Sequence, residues 1–122
     1  MQHDPDFENL VNAIRPQIKE CSVDYVYRQL ETKRFILIDV REDHEWQTGH
    51  LPSAIHLGRG IIERDIAKLV ADKNTSIVLY CGGGFRSALS AYNLQQMGYT
   101  NVLSMDGGVK LWKKLNYSLS QE

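Results

Sequence analysis

The run Cys81-Gly82-Gly83-Gly84-Phe85-Arg86 sets a thiol, three glycines and a guanidinium side by side. It follows the apolar run 76–80, which reads as a buried strand, and precedes 87–94, which reads as a helix. The cysteine therefore falls where a strand ends, in a loop facing the first turn of a helix. Glycines let backbone amides close on a ligand with no Cβ in the way. The helix N-terminus adds a partial positive charge and Arg86 a full one. Each of these favours negative charge on sulfur, the form in which a cysteine is a nucleophile. A cysteine at a strand end and a glycine turn have ordinary structural explanations taken singly. Neither explains an arginine at the helix entry, so the loop reads as a cradle for a reactive cysteine that handles an anionic group.

Other residues with chemical capacity are dispersed. His3, His44, His50 and His56 are not at metal-ligand spacing and neither cysteine joins them, so no metal and no cofactor are expected. His50, between Gly49 and Leu51, is expected to order a loop by hydrogen bonding. Asp39 and Arg41 leave an apolar strand; a structural pairing, Arg41 with Glu45, is favoured over contact with substrate. Cys21 reads as a core cysteine, with a resolving thiol as the alternative. Trp46 and Trp112 read as packing residues, and Phe85 as an apolar wall beside the sulfur. No Gly-Lys-Ser/Thr follows the glycines, which excludes a nucleotide P-loop.

The positioning elements follow from periodicity. Asp4 and Pro5 form a helix entry, and Phe7, Leu10, Val11 and Ile14 make one apolar face that ends before Pro16. Residues 18–21 read as a brief strand, and Ser22 caps a helix carrying Val23, Val26, Tyr27 and Leu30. Residues 35–40 form an apolar run with little alternation, the pattern of a strand covered on both faces. A helical turn is expected over 43–48, a short strand over 54–57, and a helix carrying Ile62, Ile66, Leu69 and Val70 that ends near Asp72-Lys73-Asn74. Gly98 suits the close of the helix after the cysteine loop. Residues 101–105 read as a last strand, and Gly107-Gly108 lead into a helix with Val109, Leu111, Trp112 and Leu115. Alternating strands and helices imply right-handed crossovers and a parallel sheet covered by helices on both faces. Ligands bind such sheets beyond the carboxyl ends of the strands, where Asp39, Cys81 and Asp106-Gly107-Gly108 all fall.

The chain has 122 residues with net charge −1 and 43% hydrophobic content, enough for one domain with a core that needs neither disulfides nor metal. No global field attracts nucleic acid or acidic membranes. No apolar run approaches a membrane span, and the polar, acidic start Met1-Gln2-His3-Asp4-Pro5-Asp6 is unlike a secretory signal. Two cysteines without CxxC spacing suit a reducing, cytoplasmic setting.

Together these residues resemble the rhodanese (sulfurtransferase) family in its single-domain form. The resemblance rests on Asp39-Val40-Arg41-Glu42, Glu45-Trp46, Gly49-His50-Leu51-Pro52-Ser53-Ala54, the loop Cys81 to Arg86 with Ser87, and Gly107-Gly108 ahead of Trp112. It implies an α/β fold with a five-stranded parallel sheet flanked by helices. Residues 17–118 would form the domain, with an N-terminal helical extension over 1–16 and a tail over 119–122. It also implies that Cys81 carries sulfur as a persulfide, taken from a small sulfane donor such as thiosulfate. The sulfur then passes to a thiophilic acceptor, cyanide in vitro or a thiol in the cell. Gly82, Gly83, Gly84, Phe85, Arg86 and Ser87 would bind substrate. Related phosphatases and arsenate reductases on this fold have a longer loop, which admits a tetrahedral oxyanion; the shorter interval from Cys81 to Arg86 favours sulfur transfer. A relay protein that hands persulfide to a partner protein is the alternative. Neither nucleic acid nor membrane is an expected partner.

Overall fold

Asp4 accepts hydrogen bonds from the amides of Asp6 and Phe7 at 3.0 and 3.2 Å, and Pro5 supplies the first helical turn, so α1 (Pro5–Ile14) begins where these residues dictate. The computed structural model describes residues 3–121. Met1, Gln2 and Glu122, the outer ends of the expected extension and tail, lie outside the described residues. Ser22 accepts from the Tyr25 amide at 3.0 Å and caps α2 (Val23–Gln29). The remaining helices are α3 (Asp43–Gln47), α4 (Ile62–Leu69), α5 (Phe85–Gln96) and α6 (Gly108–Lys114).

The strands are β1 (Lys19–Cys21), β2 (Ile36–Asp39), β3 (Ile55–His56), β4 (Ile77–Tyr80) and β5 (Val102–Met105). They pair in parallel throughout, in the order β1-β5-β4-β2-β3: the parallel sheet expected from the alternation of elements, with the five strands that the resemblance implies. The two central apolar runs are covered on both sides. Ile38, Ile77 and Leu79 face Val11 of α1, Ile62 and Ile66 of α4, and Ala88, Ala91 and Leu94 of α5. Leu37, Val78 and Tyr80 face Val23 and Val26 of α2 and Val109 and Trp112 of α6. Successive strand side chains point to opposite faces, so each run must be apolar at every position.

Several expected boundaries differ in detail. Leu10 is 52% exposed, so the apolar face of α1 is narrower than its spacing implies. Tyr27 also points outward, where it stacks on Tyr117 at 3.8 Å. α4 ends at Leu69 with Val70 already extended, short of the expected 72–74, and Tyr99 Oη donates to the Val70 carbonyl at 2.7 Å. The tail runs antiparallel past the loop before β3: His50 and Ser120 exchange backbone hydrogen bonds of 2.9 and 2.7 Å.

In register, Asp39 lies beside Tyr80 on one side and His56 on the other. The residues that follow β2, β4 and β5 therefore meet along one rim of the sheet. No helix among the described residues is long and apolar enough to cross a membrane.

Candidate active site

Cys81 follows β4 directly and is 1% exposed. The amides of Gly84 and Ser87 donate to its Sγ at 3.1 and 3.3 Å. The Ser87 hydroxyl lies 3.6 Å from the sulfur and 2.8 Å from the hydroxyl of Ser104 on β5. Ser87 and Ser104 are fully buried, so the sulfur has buried hydroxyls for company. The loop and the first turn of α5 thus direct N–H dipoles at one atom, an arrangement that stabilises negative charge there.

The curvature depends on glycine at identifiable points. Gly84 has φ +97°, and a Cβ there would stand 3.2 Å from the Gly107 nitrogen. Gly108 has φ +58°, and its Cβ would fall 2.4 Å from the Gly82 carbonyl oxygen and 2.6 Å from that of Cys81. The loop carbonyls instead accept from the start of α6, Val109 N to Cys81 O at 2.9 Å and Lys110 N to Gly82 O at 3.0 Å. α6 holds the back of the loop while its front faces the sulfur.

Arg86 is brought to the site already paired. Its two terminal nitrogens contact the two carboxylate oxygens of Glu45 at 2.6 and 3.0 Å. That hydrogen bonding holds the Glu45 carboxyl down at about 2, against the opposing effect of its partial burial. The Arg86 pKa is raised by Glu45 and, with a smaller contribution, by the sulfur of Cys81. The expected pairing of Arg41 with Glu45 is not formed. Arg41 turns back on Asp39 through contacts of 2.8 to 3.1 Å and donates to the Gly49 carbonyl at 2.7 Å. Asp39 is fully buried and must be neutralised where it stands, which commits Arg41 to it and leaves Glu45 to Arg86. Tyr80, whose pKa is raised chiefly by burial and also by Asp39, is the register neighbour of that residue in the sheet. Its oxygen accepts from the Leu51 amide at 3.0 Å.

His50 orders its loop, with Nδ1 3.0 Å from the Leu51 carbonyl and its ring stacked on Trp46 at 3.6 Å. Trp46 also stacks against His56 at 5.0 Å, and so braces α3, the helix that carries Glu45. Trp112 is fully buried and donates from Nε1 to the Ser118 carbonyl at 2.9 Å. Cys21 is half-buried at the end of β1, and burial pushes its thiol up to about 12. No cluster of metal-ligating side chains occurs among the described residues.

A cavity of about 380 Å³ opens over Cys81 and the loop. Glu45, Arg86, Phe85 and Lys110 of α6 line it. The N-terminal segment contributes as well: Phe7 stacks on Phe85 at 5.7 Å and His3 lies 4.3 Å from the same ring. The loop residues Cys81 to Ser87 are brought together as expected. The sequence reading missed Glu45 as the partner of Arg86, Lys110 as a lining cation, and α1 as a wall. The residues of the Glu45–Arg86 pair stand forty-one positions apart, and only the fold joins them.

The rhodanese-like domain family model matches residues 22–115 of this chain. Thiosulfate sulfurtransferase GlpE of Pseudomonas savastanoi pv. phaseolicola is 40% identical over 78 residues, 64% of this chain and 72% of that protein. Thiosulfate sulfurtransferase GlpE of Shewanella oneidensis is 29% identical over 98 residues, 80% of this chain and 95% of that protein. Among solved structures, the polysulfide-sulfur transferase homodimer of Wolinella succinogenes superposes with a TM-score of 0.79 at 25% identity, covering 94% of this chain and 87% of that one.

Proposed function

This chain belongs to the rhodanese-like domain family and is a sulfurtransferase, and from that premise we propose that Cys81 is the residue that carries the sulfur. The observation that supports this role is the convergence of the Gly84 and Ser87 amides on its Sγ at 3.1 and 3.3 Å. The Cys81 thiolate attacks the sulfane sulfur of a donor such as thiosulfate. A new S–S bond forms, the donor's S–S bond breaks, and its electron pair leaves with sulfite. The loop amides and the guanidinium of Arg86 offset negative charge on sulfur through the step. The resulting persulfide then yields its outer sulfur to a second thiophile, cyanide in a test tube or a thiol in the cell, and the thiolate is regenerated. Every step is an exchange at sulfur, so the chain's own residues suffice. Free cysteines at both positions suit a reducing cytoplasm.

The test is mass spectrometry of peptides after incubation with a sulfane donor and removal of the excess. The Cys81 peptide should gain the mass of one sulfur while the Cys21 peptide stays unmodified, and Cys81→Ser should abolish transfer to cyanide with the fold intact. Sulfur on Cys21 instead, or substantial transfer by Cys81→Ser, would make the assignment wrong.

A further inference from the structure

The second half of the reaction sets a requirement that the loop does not meet. A thiol acceptor must lose its proton before its sulfur attacks the persulfide, because the thiolate is the nucleophile. Cys81 lines the cavity over the loop, so an acceptor seated there can pass its proton to solvent or to a neighbouring side chain. Besides Cys81, the titratable residues lining that cavity, among the described residues, are His3, Glu45, Arg86 and Lys110. Glu45 is held in its two-point pair with Arg86, and its carboxyl, depressed to about 2, is too weak a base for a thiol. Guanidinium and ammonium groups have no lone pair to offer. Imidazole is the side chain suited to exchange a proton near neutral pH.

His3 is placed by what surrounds it. Its ring lies 4.3 Å from that of Phe85 and, edge on, 5.3 Å from that of Phe7. Phe7 and Phe85 stack on each other, and the Arg15 guanidinium stands 5.1 Å from the Phe85 ring centroid. Asp4, the next residue, caps α1 by accepting from the amides of Asp6 and Phe7, which fixes where His3 joins the helix. The family match begins at residue 22, so this imidazole comes from outside the matched domain.

We propose that His3 is the general base for the acceptor half of the reaction, taking the proton of a thiol acceptor seated in the cavity. This rests on the role of Cys81 proposed above. A ring nitrogen of His3 accepts the S–H proton, and the acceptor sulfur's electron pair forms a bond to the outer sulfur of the persulfide. The bond from that sulfur to Cys81 breaks, and its pair returns to Cys81 as the thiolate. The acceptor leaves as a persulfide, and His3 gives up its proton to solvent. Charge and atoms balance with no further reactant.

The experiment follows the acceptor step alone. Each protein is loaded on Cys81 with thiosulfate or polysulfide, freed of excess donor, and mixed near neutral pH with one of two acceptors. Glutathione carries a thiol proton. A water-soluble triarylphosphine takes the sulfur as its phosphine sulfide and has no proton to lose. Rates are expressed per persulfide, counted by mass, so the extent of loading does not bias them. A thiol of pKa about 8.5 is only about 3% ionised at about pH 7, so losing the base can slow it by at most about 30-fold. His3→Gln should lower the glutathione rate by about 10-fold and the phosphine rate by less than about 2-fold. His3→Phe, which keeps a ring against Phe7 and Phe85 but has no basic nitrogen, should show the same contrast. A merely structural role would slow both acceptors alike. Equal losses with both acceptors, no loss with glutathione, or a wild-type glutathione rate in His3→Phe overturns this proposal alone. No sulfur on Cys81 from either donor overturns the proposed function, and this proposal with it.

Discussion

At the residue scale, Glu45 is the side chain whose behaviour depends most on its partner. The hydrogen bonds from Arg86 hold its carboxyl at about 2, below the ordinary value of 4.5. A carboxyl depressed in the folded state binds its proton more readily when unfolded, so stability rises with pH across this interval. The pair's contribution is present in full above about pH 4.5 and is lost as pH falls toward about 2. Acid titrations of folding should therefore show a loss in that window that is reduced in Glu45→Gln, and an identical acid limb in both proteins would refute the linkage. The neighbourhood of Glu45 also marks what sequence could and could not reveal. Cys81, its glycines and Arg86 are contiguous, and their chemistry is legible from residue types alone. The partner of Arg86 is not, because two acceptors and two guanidiniums lie on this rim. The choice turns on Asp39 being fully buried, a property of the assembled sheet.

At the scale of elements, the loop is made by its neighbours as much as by its glycines. Gly108 lets α6 approach so closely that its first amides cap the carbonyls of Cys81 and Gly82. A Cβ at that position would stand 2.4 Å from the Gly82 oxygen, and the backbone it meets has no flexible end to yield. Gly108→Ala should cost about 2–4 kcal/mol in chemical denaturation, from the clash together with the positive φ. It should also lower sulfur transfer by more than the loss of folded protein explains, since the displaced loop no longer directs its amides at sulfur. A fully active variant of unchanged stability would show that α6 can retreat without cost. The order of strands and helices could be read from the sequence because the central runs are apolar at every position. The placement of α1 could not: its Phe7 meets Phe85 across most of the chain, and nothing local in 1–16 records that contact.

For the whole molecule, the buried cluster of Asp39, Arg41 and Tyr80 joins the middle of the sheet to the loop before β3. Arg41 is 3% exposed and bridges the Asp39 carboxylate to the Gly49 carbonyl. Removing one charge strands the other, which costs about 3–5 kcal/mol in comparable buried pairs. Asp39→Asn should lower stability by about 3 kcal/mol, whereas Asp39→Leu combined with Arg41→Met should cost less than the single change. Urea midpoints of the two variants decide the matter, and a double variant less stable than the single one would rule out this account.

The pairing of β1 with β5 has a consequence in time. The chain's first strand finds its partner, Val102–Met105, only after most of the remaining residues have been made. The amides that cap the Cys81 loop, those of Val109 and Lys110, come later still. During synthesis the cysteine therefore precedes both the strand that completes the sheet and the amides that hold the back of its loop. Contacts between residues so far apart in sequence form late, so the support behind the loop is completed together with the sheet rather than before it.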